Sequence, residues 1–398
     1  MGSPSAVVFG AGKIARGFVG HILHRSGFSI TFVEVNEALR DILNRAGCYT
    51  VHILGAPELN SLVGPVKALA PGDPRVAEAV VTADIAFVSV GGANLASVAE
   101  PLAAGVVARL RTDAAPFNVI VCENWRAAAA TLRSAVEALI PADLKERFDA
   151  RIGIAEATIM RSAIAATPEQ LADDPAAVQS QNFWLLPLDA DALVGTLPEI
   201  ETLDPVHHFS NALERKLYTY NSGNATISFL GWLRGHTYLA EAAHDPAILA
   251  VAHRVYDEMG QAMVSKFGFD PEDQRAYAAK SLAKFQDWAI VDPITRQITD
   301  PIRKLGHNDR LVGAALAALS QDVRPEAVAV AIAAALRYRN PDDPAAVELA
   351  ALVDELGESA ALARIAGLPA DHPLIGMVAA ATPELDALVS APVQSAQA

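Results

Sequence analysis

The stretch AVVFGAGKIARGFVGHILHRSGF near the start of the chain constrains the fold more than any other part of its 398 residues. A short apolar run, Ala6 to Phe9, meets Gly10-Ala11-Gly12. Ile14, Phe18, Val19, Ile22 and Leu23 then recur at helical spacing until Gly27. Glycines at the point where a strand becomes a helix predict a turn built around an anion. Gly10 permits the tight bend, and Gly12 lets backbone N–H groups approach a pyrophosphate that also meets the helix N-terminus. Ala15 fills the third position of the pattern, and Gly17 is grouped with these residues as cofactor-binding. A second strand, SITFVEV, leads to Glu34, at the distance where an acid binds the adenosine ribose hydroxyls. A carboxylate there repels a 2′-phosphate, so NAD is expected rather than NADP. The competing reading is a set of turn glycines beside a solvated glutamate.

Further strands are expected at 84–92, 118–124 and 151–157, alternating with helical stretches. That alternation predicts a parallel sheet with crossover helices, whose ligands gather beyond the strand carboxyl ends. Asn124 falls there, as an active-site donor or as an ordinary turn asparagine. After about residue 195 the pattern turns helical, over roughly 206–232, 236–266, 271–286, 308–320, 325–338, 344–355 and 358–366. The expected class is α/β: an N-terminal Rossmann-type dinucleotide-binding domain (1–195), a mostly α-helical C-terminal domain (196–385) and a frayed tail (386–398). GTLPEIETLDP reads as the linker.

A net charge of -15 disfavours nucleic acid or an anionic membrane as the main partner. Cys48 and Cys122 cannot supply a disulfide framework, and no export signal opens the chain, so a cytoplasmic setting is expected. The most apolar late segment is interrupted by Asp322, Arg324, Pro325 and Glu326, which excludes a single membrane span. A monomer is compatible with a sequence in which no exposed apolar stripe is identifiable.

Against this apolar background, RKLYTYNSGN (215–224) is dense in hydrogen-bonding groups. At about 100° per residue Asn221 and Asn224 are neighbours on one helix face, and Lys216 lies about 80° from Asn224. A solvated lysine with helix-ending asparagines is the competing reading. DPITRQITDPIRKLGHNDRL (292–311) gathers Arg296, Arg303, Lys304 and Arg310 in a proline-broken loop. These cations suit a phosphate or polyol clamp, or equally a surface run paired with Asp300 and Asp309.

FGAGKIARGFVG, TFVEVN, CEN, ERKLYTYNSG, PIRKL…DRL and YRNPDDP together resemble the polyol-specific long-chain dehydrogenase (mannitol dehydrogenase) family, most closely its short members, the mannitol-1-phosphate 5-dehydrogenases. The resemblance covers nearly the whole chain. It implies a metal-independent, NAD-dependent oxidation of a secondary alcohol, with a small-molecule polyol or sugar phosphate as partner. Lys216 is implied as general base or acid, and Asn221 and Asn124 as donors to the substrate oxygen. Arg296 and Lys304, eight apart, match substrate-contacting positions. Arg303 is added here as a phosphate ligand from its charge alone.

These residue types suit the chemistry. A lysine serves as base only when burial or nearby cations, such as Arg296 and Lys304, bring its pKa toward neutrality. Two departures from the family pattern stand out. Asn224 replaces a histidine, keeping hydrogen bonding but not a proton near pH 7. Met160 replaces the acid before Arg161. Three readings follow: interconversion of mannitol 1-phosphate and fructose 6-phosphate, a same-family reductase of another polyol or sugar acid, and an impaired nucleotide- and sugar-binding homologue.

Overall fold

A computed structural model describes residues 3–123 and 127–393. The chain forms two compact units, Met1–Phe209 and Ser210–Ala398. The first is built on six parallel strands: β1 (Ser5–Phe9), β2 (Ser29–Val33), β3 (Val66–Leu69), β4 (Ile85–Val88), β5 (Phe117–Val121) and β6 (Ile152–Glu156). Their order is β3-β2-β1-β4-β5-β6. Such sheets are covered on both faces, which is why the strands read as unbroken apolar runs instead of alternating. Val8, Phe32, Phe87 and Ile120 pack on one face with Phe18 and Ile22. Val7, Phe9, Val88 and Val119 pack on the other with Val98, Leu102 and Leu132. The strand order reverses between β1 and β4, and in open α/β sheets ligands bind at that crevice.

Two smaller sheets were not legible beforehand. Ser61–Val63, Tyr49–Ile53, Val178–Ser180 and Ala163–Ala165 form one of them. Leu186–Asp189 pairs in parallel with Leu203–Val206, inside the segment read as linker. These strands are three to five residues long, too short for period-two patterning to register.

The second unit is helical. Its first long helix is continuous from Phe209 to Leu233 but changes pitch: α from Phe209 to Arg215, π from Lys216 to Asn221, and α again from Ser222 to Leu233. The single helix expected over 236–266 is two, Leu239–Ala242 and Pro246–Phe267. Asp245 causes the break: its side chain caps the second helix by accepting from the Ala247 N–H at 2.9 Å, and Pro246 takes the first helical position. Helices at Pro271–Phe285, Val312–Leu319, Glu326–Leu336, Pro344–Leu356 and Glu358–Ala366 follow the sequence pattern. Glu326–Leu336 is apolar all round and is buried all round, as such a helix must be. A last helix, Pro373–Ser390, extends into the stretch expected to fray, because Leu385 and Leu388 bury there. Among the described residues no helix is long and apolar enough to cross a membrane.

Arg234 ties that last helix to the body of the unit. Its guanidinium donates to the carbonyls of Leu388 and Ala391 and, at 2.8 Å, to Asp245, both side chains of the pair being 1% exposed. Removing Asp245 would strand a buried cation and uncap the Pro246–Phe267 helix. Asp245→Ala is expected to lower the unfolding free energy of this unit by about 3 kcal/mol or more, read by urea denaturation.

Candidate functional site

In the first unit the glycine turn closes where β1 ends. Gly10 has φ +91° and donates its N–H to the Val33 carbonyl at 2.7 Å. A Cβ there would stand 2.2 Å from the Ser89 carbonyl oxygen, so no larger residue fits. Gly12 is exposed, and a Cβ on it would meet no atom within 4 Å, leaving the open backbone a pyrophosphate needs. Ala15 is buried at the start of the Ala15–Gly20 π-helix. Gly17, grouped above with the cofactor residues, faces elsewhere. A Cβ on it would lie 3.0 Å from that of Ala163, so its role is close packing of the helix on the small sheet.

Glu34 is not a solvated residue. It is buried, and its carboxylate accepts from the N–H groups of Ala11 at 2.6 Å and Asn36 at 2.8 Å. The acid thereby ties the end of β2 to the glycine turn and puts negative charge beside it. An exposed glycine backbone with a fixed carboxylate at its side fits NAD and opposes a 2′-phosphate. Sequence reasoning missed two further groups. Arg16, in the first turn of the helix, is buried and donates to the Ala11 carbonyl. Glu123, just after β5, accepts from Val90 at 2.6 Å and Gly91 at 2.7 Å, bracing the loop after β4. Burial pushes the Glu123 carboxyl up, and these two bonds oppose that shift. Asn124 lies outside the described residues.

Arg161, beyond β6, is 1% exposed and donates to Ser180 Oγ at 2.6 Å, with its guanidinium 4.4 Å from the Trp184 ring centroid. Another of its nitrogens lies 3.1 Å from His21 Nδ1, and His21 Nε2 lies 2.9 Å from Ser61 Oγ. Burial, then the Arg161 charge, holds the His21 pKa down at about 3, so the imidazole is neutral and accepts from the arginine. Burial also lowers Arg161, to about 9. Met160, where an acid is usual, leaves this cation held by neutral partners.

In the second unit the pitch change explains a spacing that a regular helix does not. Five residues of α-helix turn through about 500°, leaving Lys216 and Asn221 about 140° apart. A π turn, closed by i→i+5 hydrogen bonds, returns residues five apart to nearly the same side. Asn224, three residues into the following α-helix, falls about 60° from Asn221. The local geometry therefore brings Lys216, Asn221 and Asn224 onto one face, with Lys216 and Asn221 half-buried and Asn224 buried.

Lys216 has its pKa lowered to about 7, first by burial and then by the charges of Lys284 and Arg310. The cations expected for this effect were Arg296 and Lys304, and the structure puts different ones beside it. Arg296 is bound through two nitrogens to Asp292, one contact being 2.7 Å. Arg303 is half-exposed and bonded to Asp300 at 3.1 Å and Asp309 at 2.8 Å. Lys304 is buried, donates to the Thr299 carbonyl, and is lowered to about 7 by burial and by Arg310 and Arg303. Arg310 acts electrostatically on both Lys216 and Lys304, with Asp300 and Asp309 opposing its effect on Lys304. Lys284 had no sequence signal, because a lysine on an amphipathic helix reads as solvated. Among the described residues no group of His, Cys, Asp and Glu is arranged to hold a metal ion.

The glycine turn yields a direct expectation. Gly10→Ala should weaken NADH binding at least tenfold in a fluorescence titration, because the turn must open to clear Ser89.

Residues 4–202 match the family Mannitol dehydrogenase Rossmann domain, and residues 208–381 match Mannitol dehydrogenase C-terminal domain. A mannitol-1-phosphate 5-dehydrogenase of Bacillus licheniformis is 33% identical over 94% of this chain and 98% of its own. The Brevibacillus brevis protein of the same name is 35% identical over 93% and 95%. In fold, the chain is similar to Pseudomonas fluorescens mannitol 2-dehydrogenase in a ternary complex with NAD and D-mannitol (TM-score 0.72, 18% identity, 98% and 95% covered). It is also similar to a substrate-free D-sorbitol dehydrogenase (TM-score 0.74, 17% identity, 97% and 92% covered). With both units matched, the fold shared and the glycine turn suited to the cofactor, the chain belongs to the mannitol dehydrogenase family of NAD-dependent oxidoreductases.

Proposed function

We propose that this protein interconverts D-mannitol 1-phosphate and D-fructose 6-phosphate, with Lys216 as general acid and base and without a metal. One observation carries the mechanistic part: a lysine in a π turn, on the face it shares with Asn221 and Asn224, lowered to about 7. The substrate assignment is supported by relatives at 33% and 35% identity, both named mannitol-1-phosphate 5-dehydrogenase.

Bound NAD supplies the hydride acceptor. Neutral Lys216 takes the hydroxyl proton as the carbinol is oxidised, and in reduction the protonated amine returns it to the carbonyl oxygen. Asn221 donates to the developing alkoxide, and Asn124 is assigned the second donor. Amide donors in such positions lower the barrier by about 3 kcal/mol each. Asn224 orients the substrate without exchanging protons, because an amide does not titrate near pH 7. Lys304, Arg296 and Arg303 are assigned the polar end of the substrate, where Arg296 would exchange its bond to Asp292, and Arg303 its bonds to Asp300 and Asp309, for the ligand.

That engagement of Arg303, together with Asn224 and Met160, favours one alternative, a same-family reductase acting on another polyol or sugar acid. NADH consumption with fructose 6-phosphate, fructose and a keto-uronate separates the two. Turnover with fructose 6-phosphate alone is expected; turnover confined to either other compound rejects the phosphate assignment. Lys216→Ala should cost about 10²–10⁴-fold in rate while NADH affinity stays near that of the parent; a variant keeping most of its rate removes Lys216 from the mechanism. Oxidation needs the neutral amine, so its rate should rise with pH through about 7, and reduction should fall over the same range.

A further inference from the structure

The Pro271–Phe285 helix is fastened along the whole length of the Lys216 turn. At one end Gln274 accepts from Arg215 Nε at 2.7 Å and donates to Thr219 Oγ1 at 3.0 Å, so it grips the residues on either side of the lysine. At the other end Phe285 packs on Tyr220 with ring centroids 4.9 Å apart. The neighbouring Lys284 holds its ammonium 5.1 Å from the centre of the same Tyr220 ring. A helix pinned at both ends gives Lys284 little freedom to turn away from the turn that carries Lys216.

We propose that Lys284 is a positioning residue for proton transfer: its ammonium, fixed against the Lys216 turn, disfavours a second positive charge there and so keeps Lys216 available as the neutral base. This rests on the reading of Lys216 as the proton-transfer group.

The remaining surroundings support the assignment. Tyr220 lies on the turn itself, while Tyr256 and Tyr277 come from two of the helices packed against it, Pro246–Phe267 and Pro271–Phe285. Burial pushes all three phenols up, so they remain uncharged across the working pH range. Arg310, which precedes the Val312–Leu319 helix, is the other cation acting on Lys216, and its charge is shared with Asp309 at 2.8 Å. Lys284 is itself lowered to about 8 by burial, with Asp292 opposing and Arg296 adding to that shift.

The test is the pH profile of kcat/KM for NAD-dependent mannitol 1-phosphate oxidation, or for oxidation of whichever polyol the substrate panel identifies. Lys284→Met and Lys284→Gln are compared with Lys284→Arg and with the parent. Loss of the ammonium should move the midpoint of the rise upward by about one pH unit or more, the effect of one charge within roughly 12 Å at an effective dielectric near 20. Below the midpoint that is about a tenfold loss, with the high-pH plateau retained. Lys284→Arg should restore the parent midpoint. A midpoint unchanged in both neutral variants overturns the proposal, as does a uniform loss at every pH that Lys284→Arg does not rescue. Lys216→Ala separates this result from the wider reading. If it is inactive while the Lys284 variants keep the parent midpoint, only the role of Lys284 falls. If it retains the parent rate, the mechanism itself falls.

Discussion

A lysine ammonium withdrawn from water is the constraint around which the second unit is arranged. Burial disfavours the charged amine, and further cations beside it push in the same direction, so an amine that would ordinarily stay protonated reaches a pKa of about 7. A buried amine is costly to hold in place, and the surrounding structure is correspondingly over-determined. The helix carrying Lys216 packs against Pro246–Phe267, Pro271–Phe285 and Val312–Leu319, and Gln274 bonds the residues flanking the lysine. The rigidity is what makes the lowered pKa available, because a mobile lysine would turn its ammonium back into water.

The π-helix solves a spacing problem at that position. An uninterrupted α-helix would put Lys216 and Asn221 on different sides, whereas the wider turn aligns them and the α-helix that follows adds Asn224. The first unit uses the same device. Ala15–Gly20 is also a π-helix, and its glycines let the wide coil lie close to the small sheet: a Cβ on Gly20 would stand 2.2 Å from the Tyr49 hydroxyl. π turns are rare and recur at functional sites; here one follows the glycine turn and the other carries Lys216.

Carboxylates at the carboxyl edge of the large sheet act as braces. Glu34 joins β2 to the glycine turn, and Glu123 joins the end of β5 to the loop after β4. Each satisfies backbone N–H groups that the sheet leaves unpaired where the strands end. Glu34 does this while placing a negative charge beside the turn, so one side chain both holds the turn together and sets its local charge. Arg303, whose charge suggested a phosphate ligand, is paired with Asp300 and Asp309 in the folded protein.

Local chemistry was legible in the sequence wherever a residue's meaning depends on its immediate neighbours. The Gly10-Ala11-Gly12 turn, the apolar runs of the parallel strands and most helices of the second unit are of this kind, since backbone sterics and hydrophobic periodicity act over a few residues. The density of polar groups around Lys216, Asn221 and Asn224 was also legible, although a regular α-helix misplaced the lysine relative to Asn221. Tertiary structure alone decided which cations surround Lys216, that Gly17 serves packing, that Arg303 is already paired, and that Pro373–Ser390 holds its helix. The reason is physical: burial and charge–charge interaction depend on distance in space, and Lys284, 68 residues from Lys216 in the chain, is brought against the same turn.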